Sequence, residues 1–296
     1  GRKIKIIITG ADGQLGSCLK NSYKMGNENK YYFFNSQDFN LTDVKQMSSV
    51  ISKIKPSILV NCAAYTDVDG AESDELISSK INEEGVRLLA GICYPNTKII
   101  HISTDYVFDG FQSDPYTSDS QPNPLSIYGK SKLGGEIALK DSACDYLILR
   151  TSWVFSEFGR NFLKTIHKLS FQQSNLKVIN DQIGTPTYAV DLAEAILYFI
   201  NNDGFKKFSR STLHFSGADS CSWYDFAKKI IRITKNKFDG VTLEKLCSIS
   251  TSGFQQAAPR PKNSALKSDS YFNNLDCLNL PLEYKIEEVL DKIQEH

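Results

Sequence analysis

The sequence lacks several features that would assign a protein to a class at once. Its apolar runs, of which Ile6–Ile8 and Ile58–Val60 are typical, fall far short of the ~20 residues of a membrane-spanning helix. Thirty-four basic residues balance 34 acidic ones, and no run of five or more Lys and Arg occurs. Nucleic-acid-binding proteins usually carry a basic surplus or stripe. We therefore expect neither a membrane nor a nucleic-acid partner.

Cysteines are scattered. The chain has seven in 296 residues, an odd number, and no CxxC pair. This spacing indicates neither a disulfide framework nor a zinc site. A reducing, cytoplasmic environment is expected, and no metal is predicted.

The composition is that of an ordinary folded protein, with 41% hydrophobic and 23% charged residues. Strand and helix patterns then alternate through the first 150 residues, which predicts an α/β fold of the Rossmann type, with a doubly wound parallel sheet. The predicted strands span residues 3–9, 31–34, 58–64, 99–103 and 146–149, and the predicted helices cover 15–23, 44–54, 71–94 and 128–139.

The second half of the chain follows another pattern. Residues 108–127 are rich in Pro, Ser and Asp and predict a long surface loop, and the simple alternation ends at Trp153. A helix over Thr187–Ile200 and a strand over Leu213–Ser216 are expected to rejoin the sheet. We therefore predict a dinucleotide-binding domain of residues 1–153 and 186–217, and a smaller substrate domain of residues 154–185 and 218–296.

A glycine-rich loop joins the first strand to the first helix. Gly10, Gly13 and Gly16 lie there with Gln14 and Leu15, so that the backbone turns tightly where a helix begins. A helix N-terminus reached through glycines binds phosphate. A GxxGxxG spacing alone also suits a turn without a ligand, but its place between strand and helix favours a dinucleotide.

The choice between NADH and NADPH stays open. An acidic residue that bonds the adenosine ribose of NAD usually ends the second strand. Asn35 stands at this position, and no Arg lies nearby to attract a 2′-phosphate.

A tyrosine and a lysine share one face of the helix after the long loop. Tyr128 and Lys132 are four residues apart. The same spacing occurs at Tyr94/Lys98, where Pro95 breaks any helix, and at Tyr224/Lys228, which suits a plain surface helix. Only Tyr128 is matched by Thr104, just past the carboxyl end of the fourth strand, where such sheets bind ligands. We call Thr104, Tyr128 and Lys132 the trio.

The trio suits the reduction of a carbonyl group. An ammonium about 4 Å away could lower the tyrosine pKa from ~10 by about three, before burial offsets part of this. Tyr128 would then protonate the alkoxide that hydride transfer leaves, while the Thr104 hydroxyl orients its oxygen.

Longer motifs carry a family resemblance that runs nearly end to end. The chain resembles the dTDP-4-dehydrorhamnose reductases, a family of extended short-chain dehydrogenases/reductases. The motifs are TGADGQLG (9–16), VNCAAYTDVDGAE (60–72), ISTDYVFDG (102–110), PLSIYGKSKLGGE (124–136), LRTSWVF (149–155), NFLKTI (161–166), VINDQIGTPT (178–187) and RPKNSAL (260–266). The resemblance implies NAD(P)H-dependent reduction of the C4 ketone of a dTDP-linked sugar, with a homodimer as one assembly it allows.

The resemblance also implies roles for single residues. The trio would be catalytic. The substrate would contact Thr104, Asp105, Trp153 and Arg260. The cofactor would contact Gly10, Gly13, Gln14, Leu15, Gly16, Asn35, Asn40, Leu41, Ala63, Ala64, Tyr65, Tyr128 and Lys132. From the residues alone, Trp153 also suits a core position and Arg260 a solvated loop charge.

Three positions depart from the family pattern. Asn35 and Asn40 replace the usual Asp, which concerns the adenosine half of the cofactor, and Arg160 replaces a usual Asn.

Other functions also fit parts of the pattern. A 4,6-dehydratase needs an acid after the Thr-Asp pair, where Tyr106 stands, whereas C4 epimerisation uses the same trio. A regulatory subunit like the β subunit of methionine adenosyltransferase is the alternative without catalysis.

Overall fold

The structure is a computed structural model that describes residues 3–23 and 28–294. The strands in these residues are β1 (Lys5–Thr9), β2 (Lys30–Phe33), β3 (Ile58–Asn61), β4 (Lys98–Thr104), β5 (Tyr146–Thr151), β6 (Val154–Phe155), β7 (Asn175–Ile179), β8 (Ile183–Gly184), β9 (Thr187–Tyr188), β10 (Ser211–His214), β11 (Cys221–Ser222) and β12 (Lys245–Ile249). The helices are α1 (Gln14–Ser22), α2 (Val44–Ile54), α3 (Val68–Ala71), α4 (Glu75–Ser79), α5 (Gly85–Cys93), α6 (Ile127–Asp141), α7 (Phe162–Ser170), α8 (Ala189–Asn201), α9 (Gly204–Lys207), α10 (Trp223–Lys237) and α11 (Leu282–Gln294).

Six parallel strands form the central sheet, in the order β10-β5-β4-β3-β1-β2. The order reverses direction at β1, as in doubly wound sheets. The predicted α/β fold is confirmed, and the strand predicted over Leu213–Ser216 is present as β10 beside β5.

Both faces of the sheet are covered, because apolar side chains alternate along buried strands. Ile6 and Ile8 lie in a core with α1 and α8, whereas Ile7 lies in a second core with α2, α5 and α6. Side chains of successive strand residues point to opposite faces, so a strand that is buried on both sides is apolar throughout.

A third apolar core lies away from the sheet, around α7, α10 and α11. Phe226 and Ile286 are completely buried there. The Ser222 hydroxyl and the Asp225 carboxylate cap the first turn of α10 reciprocally. The later part of the chain therefore has a hydrophobic core of its own.

The helix predicted over 71–94 is interrupted. It consists of α4, one π-helical turn (Lys80–Glu84) and α5. The Asn82 side chain bonds the Tyr65 backbone twice, accepting from its N–H at 2.9 Å and donating to its carbonyl at 3.0 Å. This tertiary contact accompanies a local widening of the helix.

Among the described helices, none is both long enough and apolar enough to cross a bilayer.

Candidate active site

A cleft of about 900 Å³ lies at the carboxyl edge of the central sheet. Segments that follow β1, β3, β4 and β5 line it, which is where open α/β sheets bind ligands. The predicted residues that line it are Gly10, Gly13, Gln14, Leu15, Gly16, Ala63, Ala64, Thr104, Asp105, Tyr128, Lys132 and Trp153.

The glycine loop brings backbone close to backbone at one end of the cleft. Gly10 has φ +62°, and a Cβ at Gly16 would lie 2.4 Å from the Gly10 carbonyl oxygen. Gly13 precedes α1 without a side-chain cap, so the first N–H groups of the helix keep no side-chain partner there. This geometry suits a phosphate group.

Gln14 ties this loop to a distant turn. Its side-chain oxygen accepts from the Ser156 hydroxyl at 2.7 Å and from the Asn161 amide at 3.1 Å. Arg160, the departure from the family pattern, lies in that turn and lines the cleft. A cation therefore lies at the glycine-loop end.

Residues predicted for the adenosine half lie beside this end, outside the cleft lining. The Asn35 oxygen accepts from the N–H groups of Gln37 and Asp38, at 3.0 Å each. The Asn40 oxygen accepts from the backbone and hydroxyl of Thr42. Both amide oxygens therefore stabilise local turns.

Two further residues predicted to contact the cofactor have core or backbone contacts. The Leu41 side chain packs in the core with α2 and α5, and is 4% exposed. Tyr65 donates its N–H to Asn82. Ser36, which sequence reasoning missed, lines the cleft instead.

The trio meets in the middle of the cleft. Ser126 caps α6 by accepting from the Gly129 N–H at 3.0 Å, which places Tyr128 in the first turn and Lys132 one turn later. The Lys132 ammonium donates to the Ile102 carbonyl at 2.8 Å. Thr104 ends β4, and its hydroxyl donates to Asp105 at 3.1 Å.

The pKa of Tyr128 contradicts the expected acidification. Burial and the charge of Asp105 raise the tyrosine pKa above its ordinary value, while a hydrogen bond with Thr104 opposes the rise. The prediction that Lys132 lowers it is wrong for this arrangement. Burial of the phenol is the largest cause of the shift, and the nearby charge that acts on it is the carboxylate of Asp105.

The neighbours of Tyr128 titrate nearer to neutrality. Burial raises the pKa of Asp105 to about 7, although hydrogen bonds from Ser264, at 2.6 Å, and Thr104 favour its carboxylate. Burial lowers the pKa of Lys132 to about 8. Perturbed groups that converge in a cleft are typical of active sites.

The chain's two tryptophans meet at the other end of the cleft. Trp153 stacks on Trp223 with ring centroids 3.4 Å apart and planes 7° from parallel. Both rings are half-buried and line the cleft. Trp153 also packs against the third core, so the cleft and core interpretations of this residue both hold.

Arg260 lies outside the lining of the cleft, in an ion pair. Its guanidinium donates to both Asp69 carboxylate oxygens, at 2.9 and 3.0 Å, and hydrogen-bonds Tyr106. Its side chain is 14% exposed. The alternative of a solvated loop charge is wrong, because Arg260 links its own loop to Asp69 on α3. This loop leads into Asn263, which forms a β-bridge with Ile183.

Sequence reasoning missed two polar residues here. Thr151 pairs with Thr104 across β4 and β5, lines the cleft, and has a buried hydroxyl without a hydrogen-bond partner in the described residues. Glu136 lies one turn beyond Lys132 on α6. The four-residue spacing could have found Glu136, whereas Thr151 emerges only from the strand register.

The fold and this cleft define an extended short-chain dehydrogenase/reductase. The chain belongs to the RmlD substrate binding domain family, whose model matches residues 4–295. It is 38% identical to the dTDP-4-dehydrorhamnose reductase of Aggregatibacter actinomycetemcomitans, over 88% of this chain and 90% of that one. The recognised family resemblance is therefore confirmed.

Solved structures give the same result. A dTDP-4-dehydrorhamnose reductase of Clostridium acetobutylicum is 36% identical with a TM-score of 0.88, and the match covers 98% of this chain and 100% of that one. The enzyme of Bacillus anthracis, in complex with NADP, is 35% identical with a TM-score of 0.87 and the same coverage.

Proposed function

We propose that the protein reduces the C4 ketone of dTDP-4-dehydro-β-L-rhamnose to dTDP-L-rhamnose with NADPH. The observation that carries this function is a single cleft with a phosphate-binding glycine loop at one end and the trio at its centre. The chain bearing this cleft matches dTDP-4-dehydrorhamnose reductases over most of its length. We propose NADPH rather than NADH because the Bacillus anthracis relative was solved in complex with NADP.

The glycine loop fits a dinucleotide. Gly10 and Gly16 allow backbone to pack directly against backbone, which forms the tight turn before α1, and the N-terminus of α1 favours negative charge. When bound, NADPH supplies a hydride to the ketone carbon. Ala63 and Ala64 line the same end, where a flat ring or sugar can approach the backbone.

Tyr128 would donate the proton. Because its pKa is raised, the phenol stays protonated at neutral pH, and an alkoxide is the stronger base, so the transfer runs downhill. The Thr104 hydroxyl would orient the ketone oxygen. Lys132 would stabilise the phenolate, since Ile102 accepts only one of its three ammonium hydrogens.

The substrate would occupy the end of the cleft with the stacked tryptophans. Trp153 and Trp223 offer a flat apolar surface to a base or sugar ring, and Asp105 offers hydrogen bonds to hydroxyls. Arg260 would reach the diphosphate by exchanging Asp69 for phosphate oxygens. The core around α7, α10 and α11 supports assigning residues 154–185 and 218–296 to a substrate domain.

The direct test mixes the purified protein with NADPH and dTDP-4-dehydro-β-L-rhamnose and follows the nicotinamide absorbance. Loss of absorbance with formation of dTDP-L-rhamnose is expected. Cofactor binding without turnover would favour the regulatory alternative, and interconversion of dTDP-L-rhamnose with its C4 epimer, without net consumption of NADPH, would favour an epimerase. A homodimer and a cytoplasmic location remain predictions.

We expect Gly16→Ala to weaken NADPH binding at least about tenfold, or ~1.4 kcal/mol. The new methyl group would lie 2.4 Å from the Gly10 oxygen and 2.6 Å from the Ala11 Cα, so the loop must open. A fluorescence titration with NADPH measures the change. Gly91→Ala is the matched control, since its methyl group meets nothing within 4 Å and should leave the affinity unchanged. Equal affinities for the two variants would contradict this cofactor site.

Activity should fall as the pH rises through about 8. The pKa of Lys132 is lowered to about 8, so its ammonium, which the proposed step needs, is lost above that pH. A pH profile of kcat measured at saturating NADPH tests this expectation. A constant kcat up to pH 9.5 would show that the ammonium is not needed.

A further inference from the structure

A buried acid–base pair lies beside the trio, on α6 and β5. The Arg150 guanidinium donates to both carboxylate oxygens of Glu136, at 2.6 and 3.0 Å. Glu136 is completely buried and Arg150 is 1% exposed. Neither residue lines the cleft, so the proposed reaction leaves this pair without a function.

Arg150 depends on Glu136 for its charge balance. Its guanidinium otherwise faces the Phe108 ring, at 5.2 Å, and the His214 Nε2, at 3.4 Å. Burial and the charge of Arg150 lower the pKa of His214 to about 3, so this imidazole is neutral. Within the residues described, Glu136 is the one acidic partner of Arg150.

Glu136 also binds the end of β4. Its second oxygen accepts from the Ser103 hydroxyl at 2.5 Å. Ser103 lies between Ile102, whose carbonyl accepts from Lys132, and Thr104, which belongs to the trio. Glu136 therefore ties α6 to Ser103, and the two neighbours of Ser103 are the residue that accepts from Lys132 and a member of the trio.

The spacing along α6 places Glu136 next to Lys132. Tyr128, Lys132 and Glu136 follow at intervals of four residues, so they lie on one face of the helix, one turn apart. A buried carboxylate one turn from a buried ammonium acts on it through a medium of low dielectric.

We propose that Glu136, held by Arg150, is a positioning residue for the reduction, an inference that rests on the proposed function. Its carboxylate keeps the end of β4 against α6 and keeps the Lys132 side chain an ammonium.

Other groups around Lys132 cannot take this role. His101, on β4, is neutral because burial lowers its pKa well below the ordinary value. Cys62, after β3, is a neutral thiol because burial raises its pKa to about 12. Tyr128 is a neutral phenol, and the charge of Asp105, whose pKa is about 7, acts on Tyr128. Glu136 is the carboxylate whose charge favours the ammonium.

The test compares the pH profiles of kcat for the wild-type protein, Glu136→Gln and a control, all as full chains with NADPH and the keto sugar. Gln keeps the shape of the side chain and an oxygen for Ser103, but removes the charge. Asp191→Asn is the matched control. It breaks another buried acid–base pair, with Lys285 at 2.6 Å on α11, away from the trio.

We expect the basic limb of Glu136→Gln to move down by about one pH unit. From a wild-type limb at about 8, this lowers kcat roughly fivefold at pH 8 and roughly twofold at pH 7. The KM for NADPH should stay unchanged. Asp191→Asn should melt at a lower temperature but keep the wild-type limb, because a purely structural defect does not move a titration.

An unmoved limb in Glu136→Gln would overturn the proposal. If that variant does not fold, Glu136→Gln/Arg150→Met removes both charges, and the limb should still move down, by less than in the single variant, because the charge of Arg150 opposes that of Glu136. Absence of turnover in the wild-type protein would instead overturn the proposed function, which separates the two failures.

Discussion

Tyr128→Phe should lower kcat by about 10²- to 10⁴-fold while NADPH binds with unchanged affinity. This is the usual contribution of a positioned proton donor, and phenylalanine removes only the hydroxyl. The ring itself is 8% exposed and packs edge-on against Tyr106, with centroids 6.1 Å apart, so the variant should keep its shape. Stopped-flow absorbance at saturating substrate measures kcat, and a titration measures the NADPH affinity.

Tyr94→Phe is the matched control for this variant. Tyr94 also precedes a lysine by four residues, but it is 54% exposed and directly follows α5. Its loss should leave kcat at the wild-type value. A Tyr128→Phe variant that turns over at the same rate as Tyr94→Phe would remove Tyr128 from the proton transfer.

Arg150→Met should destabilise the protein by about 3–5 kcal/mol. Methionine preserves the apolar stem beneath Phe108 but leaves the Glu136 carboxylate buried without its hydrogen-bonded ion-pair partner. Such a charge is far more costly than the pair, because nothing replaces its lost hydration. The urea midpoint, compared at unchanged m-value, measures the loss.

Arg87→Met tests whether burial is the cause. Arg87 pairs with Glu83 and Glu84, yet its side chain is 54% exposed. Exposed pairs contribute about 0–1 kcal/mol, so this variant should unfold near the wild-type midpoint. Similar midpoints for the two variants would show that the Arg150 pair contributes no more than a surface contact.

The sheet was predictable because its signals are local. The apolar run of β1, the glycine loop and the start of α1 follow one another within 20 residues. The helix predicted over 71–94 shows the limit of such signals. Its π-helical turn accompanies hydrogen bonds between Asn82 and Tyr65, and no periodicity of the helix itself contains them.

Some residues of the site could likewise be predicted from local signals, and others could not. Tyr128 and Lys132 could be found because they share one helical face, and Thr104 because it ends a strand. The stack of Trp153 on Trp223 and the ion pair of Arg260 with Asp69 join residues 70 or more positions apart. Sequence alone showed the existence of these residues but not their pairing.

The raised pKa of Tyr128 could not be predicted from the sequence, because it depends on the surroundings of the phenol. From the sequence, only one charge and one distance could be considered, whereas in the structure Tyr128 is 8% exposed and lies beside the Asp105 carboxylate. Desolvation disfavours the charged form of any buried phenol. The sign of such a shift therefore requires the packing around the group.

The position of β10 affects how the sheet can form while the chain is being synthesised. This edge strand pairs with β5 but is made about 60 residues after it, which corresponds to roughly 3–12 s of synthesis. During that interval the β5 edge of the nascent sheet has free N–H and C=O groups, which attract foreign strands. A chain truncated before Ser211 would lack β10, so the edge of β5 would stay unpaired and open to pairing with strands of other chains.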